Sequence, residues 1–464
     1  MSISVKKGDI LELRIEKMAA GGFGVARLNR YVIFVKGAAE GDLVKAKIYK
    51  KKKDYSEAKV VEVLEPSDHR IKPECEYYGY CGGCQWQHIR YDVQLRYKKE
   101  IVREAMYKIG GLTDVTILDT IPSEEIFEYR NKMEFTFSKK PWILPSEKEK
   151  PPFSLGLHIP GSFDRVIDIK RCLLQPEKGN MILDIVRQYV KRTATPIYDM
   201  KTHEGFWRFL TLRNSKAFGE WMVNVITSGD EPSIIEPLSE ELCKKVDGIR
   251  TVVNNISKKK AAVAIGDREV VVYGDGFIED KIGEFRFRIS ANSFFQTNPK
   301  GAESLYSKVR EYAELSGKEE VLDLYSGTGT IPIFLSKDAK RIIGIEISQD
   351  AVKDARKNCS LNGVDNCVFI VGDIREMLSR ASSEISPDVI IADPPRPGMH
   401  KDVVKGIMEL AAKRLIYVSC NPATMARDLS MLSNMYEVKE IQPVDMFPHT
   451  HHIESVAKLV KKER

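Results

Sequence analysis

The sequence predicts an α/β chain, with an open, mostly parallel sheet preceded by a small β-module and a mixed α+β middle region. Three observations carry that expectation. From about residue 290, apolar β-type runs at 321–324, 341–347, 367–371, 389–392 and 415–418 alternate with helical stretches, the rhythm of a parallel sheet. Residues 5–65 instead carry short alternating runs broken by glycines, which suits an all-β unit. The 464 residues suffice for two or three domains, and a hydrophobic content of 43% lets each bury a core.

The β-module spans 1–65. Residues 9–15 alternate, Gly21-Gly22-Phe23-Gly24 turns, and Tyr31-Val32-Ile33-Phe34-Val35 is strongly β. Gly41-Asp42 turns again before 43–48, and 58–64 closes the set. Five short strands in this length suggest a small barrel of the oligonucleotide-binding type. The charge is placed to match. Residues 1–60 hold fourteen Lys and Arg against seven Asp and Glu, so the remainder of a chain of net charge +6 sums to −1. The run Lys50-Lys51-Lys52-Lys53 suits a phosphate backbone, although a solvated hairpin tip explains it equally simply. The stretch resembles the TRAM domain of RNA-modifying enzymes, a likeness that implies RNA binding.

The middle region spans 66–290. After a linker at 66–73 come Cys75-x5-Cys81-x2-Cys84, three thiols wrapped by Gly79, Gly82 and Gly83. A fourth ligand must come from elsewhere, and Cys172 is the best candidate. Spacing alone fits zinc and an iron–sulfur cluster equally. Residues 91–109 have helical spacing and stop at Gly110-Gly111. Runs at 134–137, 221–226 and 261–265 read as strands, and the Pro-rich stretch near 145–152 as a loop. Trp86, Tyr91, Arg96, Phe127, Tyr129, Arg130, Lys132 and Phe135 interleave aromatics with cations, the combination that holds looped RNA. Cys243, Cys359 and Cys367 read as ordinary buried residues. With no signal-peptide pattern, no membrane-length apolar run and too few cysteines for a disulfide scaffold, the chain is expected to be cytoplasmic with reduced thiols.

The last region, 291–464, carries the chemistry. The run Val321-Leu322-Asp323-Leu324 leads into Tyr325-Ser326-Gly327-Thr328-Gly329-Thr330, a glycine turn that lets a ligand approach the backbone. The next strand ends at Glu346, seventeen residues past Gly329, where an acid can grip two ribose hydroxyls. Ser348 and Asp350 open a helix that stops at Asn362-Gly363. The third strand ends at Gly372-Asp373, placed to meet an adenine edge, and the fourth at Asp393-Pro394-Pro395-Arg396. A turn, an acid, an acid and D-P-P at successive strand ends resemble the S-adenosylmethionine-dependent methyltransferase fold. Cofactor contacts are then expected at Gly327, Glu346, Asp373 and Asp393.

The fifth strand runs into Ser419-Cys420-Asn421-Pro422, where the chain leaves the sheet and exposes a thiol. Uracil C5 is a poor nucleophile, but thiolate addition at C6 turns C5 into an enolate carbon that can attack a sulfonium methyl. The adduct must then lose its C5 proton to a base, so a carboxylate is needed near the thiol. The segments Asp393-Pro394-Pro395-Arg396-Pro397-Gly398, Ser419-Cys420-Asn421-Pro422-Ala423-Thr424 and Asp445-x-Phe447-Pro448-x-Thr450-x-His452-Ile453-Glu454 are similar to the RNA uracil-C5 methyltransferase family, and within it to members that modify 23S ribosomal RNA. The resemblance covers nearly the whole chain. It implies Cys420 as nucleophile, Glu454 as proton-abstracting base, and cofactor-pocket positions at Tyr325, Glu346, Asp393 and Gln296 of Phe294-Phe295-Gln296-Thr297-Asn298, with Gln296 or Asp393 on the uracil edge as the alternative. It also implies a [4Fe–4S] cluster on Cys75, Cys81, Cys84 and Cys172 and a helix near 91–110 packed on the catalytic domain. Four protein ligands leave no open iron, so the cluster is expected to be structural or RNA-positioning. Because Cys420 must reach C6 from the ring face, the target uridine is expected to be flipped out. The expected partner is RNA, with no DNA or membrane, and the expected state a monomer.

Two other classes weigh less. A radical S-adenosylmethionine enzyme needs C-x3-C-x2-C with an uncapped iron, and the first gap here is five residues with a fourth cysteine at hand. A non-catalytic RNA-binding factor explains the barrel but gives no reason for Cys420 and Glu454. The same chemistry on the T-loop of transfer RNA is the closest alternative. His449, His451 and His452 cannot all face one metal within four residues, so zinc is not expected there.

Overall fold

The computed structural model describes residues 5–381 and 386–463. Among these residues no helix is long and apolar enough to cross a membrane. The N-terminal unit contains β1 (Ile10–Arg14), β2 (Lys17–Ala19), β3 (Phe23–Leu28), β4 (Tyr31–Lys36), β5 (Leu43–Lys51) and β6 (Tyr55–Glu65) in the order β1-β5-β6-β4-β3-β2. Alternate residues Ile33, Val35, Val44, Ala46, Ile48 and Ala58 face its core. Neither β2, whose three residues are too few to show a period, nor β3, which begins inside the stretch read as a turn at 21–24, was expected from the sequence. The lysine run lies at the end of β5 and in the turn after it, exposed, with Lys50 paired to Glu57 at 2.5 Å.

Helix α1 (Tyr91–Lys108) follows, then the short β7 (Thr116–Ile117). The stripe Val93, Tyr97, Ile101, Ala105 repeats every four residues and joins the core of the C-terminal domain. The middle of the chain forms an eight-stranded sheet of β8 (Lys132–Ser138), β9 (Pro141–Trp142), β10 (Ser154–His158), β11 (Val166–Asp168), β12 (Trp207–Asn214), β13 (Trp221–Thr227), β14 (Ile249–Ile256) and β15 (Arg268–Tyr273). Helices α2 (Glu177–Thr193) and α3 (Pro232–Lys245) lie among them. The predicted strand at 261–265 is absent. Val263 and Ile265 are exposed, the Arg208 guanidinium takes the Ser257 and Ala261 carbonyls, and β15 occupies the edge of β14 instead. Short Ala/Val alternation resembles a strand locally, but β15, not this stretch, pairs with β14. Cys359 is buried, whereas Cys243 and Cys367 are only partly so.

A hairpin of β16 (Phe277–Ile282) and β17 (Phe285–Ser290) and helix α4 (Pro299–Ala313) lead into the C-terminal sheet. Its elements are β18 (Glu320–Leu324), α5 (Thr330–Leu335), β19 (Arg341–Glu346), α6 (Gln349–Asn362), β20 (Cys367–Val371), α7 (Ile374–Ala381), β21 (Val389–Ala392), α8 (Lys401–Leu410), β22 (Arg414–Ser419), α9 (Pro422–Leu432), β23 (Tyr436–Val444) and β24 (Glu454–Lys461). The order is β20-β19-β18-β21-β22-β24-β23-β7, parallel from β20 to β22, with β24 antiparallel to β22 and β23. Leu322, Ile345, Ile390 and Tyr417 enter one core, and Val321, Ile342, Val389 and Ile416 the other. Both faces are covered, which is why these strands read as continuous apolar runs. Ser348 caps α6 by accepting from the Ala351 N–H, and Gly363 ends it with φ +63°.

The turn after β18 depends on a glycine. Gly329 has φ +79°, and a Cβ there would lie 2.8 Å from Phe369 Cζ and 3.0 Å from Ala355 Cβ. Gly329→Ala is therefore expected to destabilise the fold by about 2–4 kcal/mol, combining left-handed strain with overpacking. A lowered urea midpoint with an unchanged slope measures it.

Candidate active site

Strand order reverses between β18 and β21, whose carboxyl ends border the crevice where open α/β sheets bind ligands. A cavity of about 790 Å³ lies at this edge. Seven of the sequence-predicted residues line it together: Gln296, Tyr325, Gly327, Glu346, Asp393, Cys420 and Glu454. Asp373 does not line it. Its carboxylate is turned to its own helix start, accepting from Arg375 N at 2.9 Å and Nε at 3.0 Å, and Arg375 holds its pKa down at about 2.

Sheet register brings the thiol and the carboxylate together. In the antiparallel pair of β22 and β24, Val418 faces Val456 and Ser419 faces Ser455. One step further, Cys420 and Glu454 emerge from adjacent strand ends into the same cavity. Asn421 then caps α9, accepting from the Ala423 N–H, with Pro422 in the first turn. Desolvation, then the charges of Glu454 and Asp393, push the Cys420 thiol up to about 11, against the Arg396 guanidinium that reaches it. Desolvation, then Asp393, push Glu454 up to about 8, opposed by Arg396 and Lys98. Desolvation alone raises Asp393 to about 6. At neutral pH Cys420 and Glu454 thus hold their protons, while Asp393 has mostly given its proton up. A cation in the cavity would favour their ionised forms.

The opposite wall is the glycine turn. Tyr325 sits at φ +67°, a strained conformation for a side-chain-bearing residue. The Glu346 carboxylate accepts from the Gly327 N–H at 3.0 Å and the Ser348 N–H at 2.8 Å, which locks turn and acid together. Sequence reasoning missed Asp323. It is 1% exposed, lines the cavity, and neither carboxylate oxygen has a hydrogen-bond partner. An acid inside the apolar run Val321–Leu324 was the available signal. An orphaned buried carboxylate facing a cavity fits a cationic ligand. His452 and Arg396 also line the cavity, joined by Arg396 Nη2 donating to His452 Nδ1 at 2.8 Å. Trp86, Tyr129 and Phe135 are buried in the core, so they are not open to stack on RNA.

A second cavity, of about 450 Å³, is lined by Cys75, Cys81, Cys84 and Cys172. Lys170 N donates to the Tyr77 hydroxyl at 3.1 Å and Cys172 N to Asn180 Oδ1 at 2.9 Å, which ties the two cysteine-bearing segments in place. Burial raises all four thiols, Cys81 and Cys84 to about 12; Cys75 and Cys172 add to the rise at Cys81 and Cys84, and Cys75 to that at Cys172. A buried cation would reverse that balance. Among the described residues no group of three or more His, Cys, Asp or Glu is gathered around a single-ion position, the three histidines of the 449–452 stretch included. The two cavities share Gly82, Gly83, Arg130 and Thr297.

The chain matches known proteins over almost its full length. The family model for tRNA (uracil-5-)-methyltransferase matches residues 238–462, and that for the TRAM domain residues 4–61. An RNA methyltransferase of Chlorobaculum tepidum is 40% identical over 98% of this chain and 97% of its own length. One of Bacteroides thetaiotaomicron is 42% identical over 95% and 99%. The structure of the Pyrococcus abyssi tRNA (uracil-54, C5)-methyltransferase, in complex with S-adenosyl-L-homocysteine, is 29% identical, with TM-score 0.74 over 97% of this chain and 100% of that one. With a TRAM unit, a methyltransferase sheet and full-length relatives of this kind, the chain belongs to the RNA (uracil-C5) methyltransferase family.

Proposed function

We propose that this enzyme methylates C5 of one uridine in 23S ribosomal RNA, with Cys420 as nucleophile and Glu454 as base. The observation that carries the chemistry is the convergence of that thiol and that carboxylate on one cavity with a glycine turn and an unpartnered buried acid. S-adenosylmethionine supplies the methyl group as a sulfonium cation. The site fits it: Asp323 offers a carboxylate to its positive end, Glu346 an anchor for ribose hydroxyls, and Gly327 has open space around its Cα. Gln296 and Asp393 stand where they can meet either the cofactor or the uracil edge.

Cys420 gives its proton to water and its sulfur bonds C6 of the flipped uracil, making C5 an enolate carbon. C5 takes the methyl, and Glu454 removes the C5 proton as the bond from sulfur to C6 breaks. The products are 5-methyluridine and S-adenosylhomocysteine. Before transfer, a sulfonium in the cavity favours the ionised form of Glu454. Once that charge has left with the methyl, desolvation and Asp393 raise the proton affinity of Glu454 at the step that uses it. The carboxylate form exists above a pKa of about 8. Resolution of the adduct is therefore expected to quicken by about tenfold per pH unit below that value and level off above it. A rapid-quench series from pH 6 to 9 measures this.

The division into an RNA-binding barrel at 1–65, a middle region at 66–290 and a catalytic domain at 291–464 belongs to the same reading. So does a [4Fe–4S] cluster on Cys75, Cys81, Cys84 and Cys172. Four thiols line one cavity, a donor set of the kind that holds iron–sulfur clusters. Such a cluster supplies thiolate-bound positive charge that orders the segment. Anaerobically purified protein should contain about four irons and about four sulfides per chain, and Cys172→Ser should lower both.

The barrel and thiol quartet resemble the ribosomal members of the family. The likeness to the Pyrococcus abyssi enzyme favours a second reading, a T-loop uridine of transfer RNA. Labelled-methyl transfer to unmodified 23S RNA and unmodified tRNA, followed by mapping of 5-methyluridine, separates them. Label at one 23S uridine is expected. Label in tRNA alone moves the substrate, and no 5-methyluridine in either rejects the reading.

A further inference from the structure

Helix α1 carries two polar side chains on its buried face, Gln94 and Lys98, both fully shielded from solvent. The reaction described above uses neither. An ammonium inside a core is costly unless paired, so its partners indicate its purpose. Lys98 Nζ lies 2.5 Å from Asp445 Oδ1, a carboxylate equally buried, and donates to the Phe447 carbonyl oxygen at 3.1 Å. Asp445 Oδ1 also accepts from the Phe447 N–H at 3.0 Å. Gln94 holds the next turn, accepting from the His449 N–H at 2.9 Å. A helix 347 residues away in sequence thus grips, at several points, the stretch that leads into Glu454.

We infer that Lys98 is a positioning residue for Glu454, fixing the loop that delivers this carboxylate and supplying a buried positive charge that acts on it. The inference rests on the proposed role of Glu454 as base. Asp393 and Arg396, from the loop after β21, and Cys420, from the end of β22, share the cavity with Glu454, and the charge of Lys98 acts on it from α1 behind the cavity wall, beside its partner Asp445. Arg396 is exposed and hydrogen-bonded to His452, so solvent screens it. Lys98 is sealed from water, and its field acts through the interior. Burial lowers the pKa of Lys98, while Asp445 and Glu454 raise it. Without the Lys98 charge, Glu454 keeps its proton to higher pH.

The test measures formation and resolution of the covalent RNA–protein adduct separately, across pH, on the full-length protein. Lys98→Met leaves Asp445 buried and unpaired, so Lys98→Met with Asp445→Asn is made alongside it. Asn keeps an acceptor for the Phe447 N–H. Lys98→Arg keeps the charge. In the neutralised variants resolution should slow about tenfold at pH 7 for each unit by which Glu454 is raised, and recover towards pH 9. Adduct formation should persist, and Lys98→Arg should restore the midpoint. A wild-type pH profile in the double variant overturns the inference. So does equal loss of formation and resolution, because the pair then serves the whole site. Glu454→Gln is the control: if it fails to accumulate adduct, the base assignment itself fails; if it accumulates adduct while the double variant resolves normally, only the inference about Lys98 falls.

Discussion

Cys420→Ala is expected to abolish 5-methyluridine formation, lowering the rate by a factor on the order of 10⁴ or more, and to remove the covalent RNA adduct entirely. No other thiol can substitute. Among the residues lining the reaction cavity, Cys420 is the one cysteine, and the quartet lines the adjoining cavity instead. The substitution removes a single sulfur from a half-buried strand end, so the fold should survive. An unchanged melting temperature and intact RNA binding separate loss of chemistry from loss of structure. Methyl transfer by the alanine variant above background would end the covalent scheme.

Glu454→Gln should have the next largest effect, of a different kind. Glutamine matches the shape of glutamate and carries no charge, so the sheet register should hold. Multiple turnover is expected to fall by about 10²–10⁴-fold. Adduct formation is not expected to fall with it. The Glu454 charge is one of the groups that raise the Cys420 thiol, after desolvation, and removing it makes the thiolate easier to form. One equivalent of methylated RNA should therefore accumulate on the protein and persist under denaturing conditions. Multiple turnover at the wild-type rate would require another base, and Asp393, raised to about 6 in the same cavity, is the group to examine.

Much of this was legible in the sequence because it is local. Alternation within β4 and β5, the continuous apolar runs of β18 to β22, the Ser348 and Gly363 ends of α6 and the glycine turn at 327–329 are all consequences of residues within a few positions of one another. The exit of the chain at Cys420 belongs to the same class, because Asn421-Pro422 announces a helix start beside a strand end.

Other features were decided only by tertiary structure. Residues 261–265 alternate like a strand, but β15, not this stretch, pairs with β14. Asp373 lies two residues past the end of its strand, and its side chain folds back onto Arg375, an outcome set by rotamer and neighbour. Asp323 is an ordinary aspartate until packing shields both oxygens. The pairing of β22 with β24, and the placement of Lys98 behind the 445–454 stretch, join residues whose sequence separation no local rule spans. Local sequence specifies which conformations a segment prefers; which segments meet, and what charge each then faces, depends on the free energy of the whole packed core.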